Sequence, residues 1–183
     1  MITFEMSDKI GDLERIVELQ QINLPDAVAS DQRLTEGFVT MQYTVQELQL
    51  MCGAYRHAVA KSDGIVIGYA LTMMKDCRTS FPFLDSMFDD AEAAVFDGRP
   101  LRDHPYFFMG QICVDKAFRG KGVFRRLYET LREHMRTECD FIVTEVSVNN
   151  PRSLGAHRQI GFTDIAHGGA GSTEWRVIAW DWR

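Results

Sequence analysis

Tyr106 to Tyr128 reads YFFMGQICVDKAFRGKGVFRRLY, and this stretch decides the fold. Tyr106–Val114 is an apolar run rich in aromatic and β-branched residues, the mark of a buried strand. Phe124, Leu127, Tyr128, Leu131 and Met135 recur at helical spacing. Arg125, Arg126, Glu129, Arg132 and Glu133 fall on the opposite side, so an amphipathic helix follows the strand. Between them lies a turn with two glycines. Gly120 and Gly122 lack the Cβ atoms that would obstruct a ligand, and they reach backbone angles that other residues avoid. The N–H groups of residues 119 to 124, Val123 included, are free of helical partners at the start of the helix. They can converge on an anion with the help of the helix dipole. Arg119 and Lys121 add positive charge. The turn is built as a pyrophosphate cradle.

Two familiar phosphate loops do not fit. A Walker loop needs Ser or Thr after its Lys, and here Lys121 is followed by Gly122. A dinucleotide fingerprint needs a third spaced glycine and a later acidic residue. Taken alone, the two-glycine turn also suits a strand-to-helix connection without a ligand.

On the C-terminal side, Phe141–Val148 reads as a β-branched strand. A helix capped near Asn150 or Ser153 runs to Gly161, and Trp175–Trp182 forms a last strand. Strand, helix, strand, helix, strand predicts right-handed crossovers and a largely parallel centre. On the N-terminal side, Ile2–Phe4 is a short strand. Ser7 or Asp8 caps a helix carrying Ile10, Leu13, Ile16, Val17 and Leu19. A second helix starts at Thr44 and ends at Gly53. Tyr55–Lys61 and Ile65–Met74 form a hairpin about Asp63-Gly64, which makes the sheet mixed. Residues 75–105 are irregular and read either as a variable loop near the substrate or as a packed surface excursion. His167 to Gly171 reads as a flexible connection before the last strand.

The 183 residues carry a net charge of −6, which suits one domain and argues against non-specific nucleic-acid binding. Cys52, Cys77, Cys113 and Cys139 are widely spaced, so neither a disulfide framework nor a zinc site is expected. No leader is evident at the N-terminus, and no apolar run approaches the ~20 residues that span a bilayer. The expectation is a cytoplasmic chain with no membrane partner and no metal.

A second motif sits downstream, Asn150-Pro-Arg-Ser153-Leu-Gly-Ala-His157-Arg-Gln-Ile-Gly161-Phe162. The turn resembles the Arg/Gln-x-x-Gly-x-Gly/Ala acyl-CoA motif of the GNAT superfamily of N-acetyltransferases, following a strand that ends in Val-Asp. The second motif is similar to that family's Asn-x-x-Ala/Ser-x-x-x-Tyr-x-x-x-Gly-Phe. Order and spacing agree over residues 106–182. Phe124 stands where the family usually has Gly or Ala, and His157 where it has Tyr.

The resemblance implies a single GNAT-like α/β domain over residues 1–183. Its mixed central sheet has splayed parallel central strands and flanking helices, and 75–105 lies near the acceptor. It implies acetyl-CoA in a cleft where strands 106–114 and 141–148 part, and an amine, small-molecule or peptide, that attacks the thioester directly. Cofactor contacts carry over to Ile112, Cys113, Val114, Arg119, Gly120, Lys121, Gly122, Val123, Phe124, Asn150, Ser153 and His157. Pantetheine pairs with the edge of 112–114, and a backbone N–H near Val114 polarises the carbonyl. Cys113 is a strand residue and not a nucleophile. His157, as imidazolium, is the candidate acid for the leaving thiolate, and Glu145 the candidate base. Gln111 could orient water or substrate, Asp115 shapes the turn, and Asp103 and His104 could line the acceptor pocket. Arg125 or Arg126 could reach the 3′-phosphate. Trp175, Trp180 and Trp182 suit core or subunit contacts, and homodimers are common in the family. A longer acyl donor and a non-catalytic acyl-CoA sensor remain as other readings.

Overall fold

The computed structural model describes residues 1–28, 36–168 and 174–183. The period-two pattern of the decisive strand sets the layers. Tyr106 and Phe108 enter one core, and Phe107 and Met109 enter the other. The strands are β1 (Ile2–Ser7), β2 (His57–Ser62), β3 (Ile65–Met73), β4 (Val95–Phe96), β5 (Arg99–Pro100), β6 (Tyr106–Val114), β7 (Phe141–Ser147), β8 (Thr163–Gly168) and β9 (Trp175–Asp181). Seven of them form one sheet in the order β1-β2-β3-β6-β7-β9-β8, and β4 and β5 form a separate ribbon.

Helices α1 (Ile10–Gln21), α2 (Val45–Cys52) and α3 (Asp85–Ala93) cover one face. Helices α4 (Val123–Met135) and α5 (Pro151–Ile160) cover the other. Leu127, Tyr128, Leu131 and Met135 of α4 are fully buried, as the helical spacing predicts. Thr44 closes a capping box with Glu47 at the start of α2, so both members satisfy free N–H groups. The β2–β3 turn has both Asp63 and Gly64 at positive φ, 52° and 81°, the conformation an Asp-Gly hairpin requires.

The parallel centre is narrower than the element order predicts. Among the described strands only β6 and β7 run parallel, and β9 is antiparallel to β7. The reason is β8, a strand missed in the sequence because its residues are mostly solvent-facing. It reverses the chain so that β9 inserts between β7 and β8. The start of α1 also differs. Lys9 is its cap residue and supplies no side-chain bond. Ser7 instead donates a short hydrogen bond to Asp12 and accepts one from the Lys9 N–H.

Residues 75–105 are packed against the sheet. Phe81, Phe88, Ala91 and Leu101 are buried beneath them, and Phe88 meets Phe108 edge-on at 4.9 Å between ring centres. The expected flexible connection at 167–171 falls partly in β8, and Gly169 to Gly171 lie outside the described residues. No described helix is long and apolar enough to cross a membrane.

Candidate active site

β6 and β7 pair through three residues each, ending at Phe108 and Val143. At the next position the Thr144 hydroxyl donates to the Met109 carbonyl at 2.9 Å. A side chain thus replaces the ladder where the strands part. Beyond it β6 faces no strand on that edge. Its backbone polarity there follows from its pairing with β3. The Asp115 N–H donates to the Ile67 carbonyl, and Cys113 lies opposite Tyr69. Bonded and non-bonded pairs alternate in an antiparallel ladder. Cys113 therefore bonds to β3, while the N–H and C=O of Ile112 and Val114 point to the open edge. All three residues line the cleft, with the outward-facing backbone groups those of Ile112 and Val114. Burial pushes the Cys113 thiol up to about 12, which leaves it un-ionised and a poor nucleophile.

The open edge of β6, the turn at residues 118–122 and helix α5 line a cleft of about 340 Å³. Asp115 accepts from the Ala117 N–H at 3.0 Å and so shapes the turn. Gly120 and Gly122 hold φ of 73° and 77°. A Cβ at either would meet nothing within 4 Å, so bare backbone faces open space. Gly122 caps α4 without any side-chain bond, which leaves the first N–H groups of α4 for an anion. The site therefore fits a pyrophosphate by main chain alone.

The side chains of the turn do otherwise. Lys121 folds back to donate to the Ala117 carbonyl at 3.0 Å and lies over the Phe118 ring, away from the cleft lining. Arg119 lines the cleft, but its guanidinium is bonded to Val114, Glu36 and Asn23. Phe124 does line the cleft, with its ring edge-on to His157 and Tyr128. Of the two following arginines, Arg125 lines the cleft and Arg126 pairs with Glu129.

A smaller cavity of about 60 Å³ adjoins the cleft, and the two share Phe38, Val39, Ile112, Asn150 and Ser153. Glu145 lines the smaller cavity. Its Oε1 is buried without a hydrogen-bond partner. Burial, with the Asp90 charge adding to it, raises its pKa to about 8. Trp175 lines the same cavity, whereas Trp180 and Trp182 pack into the core. Gln111 lines it too, but both its ends are taken. Tyr69 donates to its Oε1 at 2.5 Å, and its Nε2 donates to the Met41 carbonyl at 2.7 Å. No residue of 75–105 lines either cavity. His104 is instead buried, bonded to the Phe96 carbonyl and packed on Phe141.

His157 reaches the smaller cavity, but its ring nitrogens are occupied. Nδ1 lies 2.7 Å from the Ser153 carbonyl, which can only accept, so Nδ1 carries the proton. Nε2 then accepts from the Tyr128 hydroxyl at 2.6 Å. Burial lowers the pKa to about 4. The imidazolium expected from the sequence is therefore a neutral ring at pH 7, because 1% exposure desolvates its charged form.

Two features of the site carry no sequence motif. Gly110 and Gln111 form a β-bulge opposite Leu71, which kinks β6 where the strands part. Glycine within a strand pattern was its available signal. The other is the strap from Glu36 to Thr40, which walls both cavities.

A splayed parallel pair, a turn of bare backbone at a helix start and two joined cavities make up the site of this α/β domain. A profile of the acetyltransferase (GNAT) family matches residues 18–162, and the chain belongs to that family. Three solved structures have the same fold over nearly the whole chain. Arabidopsis thaliana NAA60 in complex with acetyl-CoA is 14% identical, with a TM-score of 0.67 and 99% of each chain covered. The Escherichia coli ribosomal-protein-S18-alanine N-acetyltransferase is 13% identical, with a TM-score of 0.64, covering 99% of this chain and 94% of its own. The NatC complex bound to Gag peptide and CoA contributes a chain 16% identical, with a TM-score of 0.65 and 98% of each covered. Among curated protein sequences none matches significantly.

Proposed function

We propose that this chain transfers the acetyl group of acetyl-CoA to a primary amine by direct attack in a ternary complex. One observation carries the reading. A cleft with a bare-backbone anion cradle at one end opens, at the other, on a cavity holding an unpartnered carboxyl group. Acetyl-CoA supplies a thioester carbonyl and a thiolate leaving group. The N–H groups from Gly120 to Phe124 hold its pyrophosphate. The open-edge backbone of Ile112 and the N–H of Val114 pair with its pantetheine arm, with Asn150 and Ser153 on the facing wall.

Glu145 takes the proton of the incoming ammonium. Its pKa of about 8 is close to the value a base needs near neutral pH. The acceptor is a small molecule or a peptide bearing a free amine. The peptide choice draws support from the ribosomal-protein-alanine and NatC neighbours.

The test measures CoA release from acetyl-CoA across polyamines, aminoglycosides and peptides with free N-termini, alongside thermal stabilisation by the donor. Stabilisation together with release for at least one amine is expected. The sealed ring of His157 favours a second reading, a non-catalytic acyl-CoA sensor, which stabilisation without any release would establish. Absence of both would sink the cofactor assignment.

A further inference from the structure

Side chains from both motifs that frame the donor cleft turn onto one segment, the strap Glu36–Thr40. Arg119 Nη1 donates to the backbone carbonyl of Glu36 at 3.0 Å and to its carboxylate at 2.8 Å. Nη2 donates to Asn23 Oδ1 at 2.7 Å, and Nε to the Val114 carbonyl at 2.9 Å. Four of the five N–H groups a guanidinium owns are thereby committed. The backbone carbonyl of Asn23 accepts from the Val39 N–H at 3.0 Å. From the second motif, Asn150 Nδ2 donates to the Phe38 carbonyl at 2.9 Å. Its Oδ1 would lie 3.2 Å from a Cβ at Gly37, whose φ is 71°, so glycine is what lets the strap sit this close. The strap is fixed at Glu36, Phe38 and Val39; Glu36 to Val39 border the donor cleft, and Phe38 to Thr40 wall the cavity that holds Glu145.

We infer that Arg119 is a positioning residue for the acceptor side and not a ligand of the donor's phosphates; this rests on the acetyltransferase reading above. Its charge is matched by Glu36, which also pairs with Lys116 at 3.3 Å. Recruiting the guanidinium to a phosphate would break charge-assisted bonds and leave Glu36 facing the same anion. The main-chain N–H groups of the turn are free for that task already.

Arg119→Gln removes both the charge and the fork. In this variant the acetyl-CoA Kd measured by calorimetry stays within about threefold of wild type. The amides of residues 37–40 exchange about tenfold faster, as a locally loosened segment does. KM for the best amine rises by about tenfold while kcat holds within about threefold, since geometry and not chemistry is disturbed. Glu36→Gln, a milder change that keeps the guanidinium, moves strap exchange and amine KM in the same direction without weakening acetyl-CoA. An acetyl-CoA Kd about tenfold weaker in Arg119→Gln, with strap exchange unchanged, overturns the inference. So does tighter acetyl-CoA binding in Glu36→Gln with an unchanged strap. Amide exchange requires no turnover, so a wild type that binds acetyl-CoA but acetylates nothing removes the transferase reading and still leaves the strap decided by exchange.

Discussion

Glu145 and His157 are both ionisable groups held out of water, and burial moves them in opposite directions. The Glu145 carboxyl is neutral until about pH 8, and the His157 ring is neutral down to about pH 4. For Glu145 this gives two measurable consequences. In the proposed role of base it would act only when ionised, so kcat/KM is expected to rise with pH and level off above about 8. Glu145→Gln should lose roughly 10²–10⁴-fold in rate and that pH dependence with it; an unchanged profile would remove Glu145 from the chemistry. A carboxyl whose folded pKa is raised contributes stability that is complete below its unfolded pKa and lost as pH rises through the folded value. Glu145→Gln should therefore melt higher than wild type at pH 9 and equally near pH 4.5. Both positions were legible in the sequence, because each falls at a recognisable place in a strand or motif. Their protonation states were not, because they depend on neighbours such as Asp90 and Tyr128 that lie far away along the chain.

His157 belongs, at the level of elements, to the joint between α4 and α5. Its ring takes the Tyr128 hydroxyl from one helix and is anchored to the Ser153 carbonyl of its own. Phe124 packs on the same ring. His157→Phe strands a buried hydroxyl, at a cost of roughly 1–3 kcal/mol, and the melting temperature should drop by about 2–4 °C per kcal/mol for a chain this size. Acetyl-CoA affinity should hold. Retained stability with a large loss of turnover would return His157 to the role of acid. The α4 helix, the phosphate turn and the hairpin at Asp63-Gly64 were readable because local spacing and turn chemistry specify them. The antiparallel β9 was not, and Gly110 signalled only an interruption of its strand without the register of the bulge, since strand order and register are set by partners outside any short window.

His57 and His157, at the level of the whole molecule, are buried on opposite faces of the sheet. His57 donates from Nε2 to the Leu48 carbonyl and accepts the Thr72 N–H at Nδ1, and burial lowers its pKa to about 4 as well. The ordinary value for both rings is 6.5. A depressed folded pKa gives stability that is present above the unfolded value and lost as pH falls through the folded one. Two such groups, opposed between 4.5 and 8 by the single proton of Glu145, should make urea midpoints decline from pH 6.5 towards 4. A flat acid limb would show that these rings open to solvent. The strap was invisible in the sequence for a related reason. Glu36, Phe38 and Val39 form no pattern of their own and acquire meaning only from Arg119, Asn23 and Asn150.

The parting of β6 from β7 after three residue pairs has a consequence for solubility. It places a sheet edge inside the protein instead of at its border, with the donors and acceptors of Ile112 and Val114 unclaimed by any strand. Border strands are guarded against adding foreign chains by charge, brevity or cover, but an interior edge must stay open to serve a ligand. Here the strap and α5 stand across that edge and line the cleft with it. Loosening either one would expose a template for intermolecular β-pairing, and aggregation would then depend on how well the cleft is kept filled.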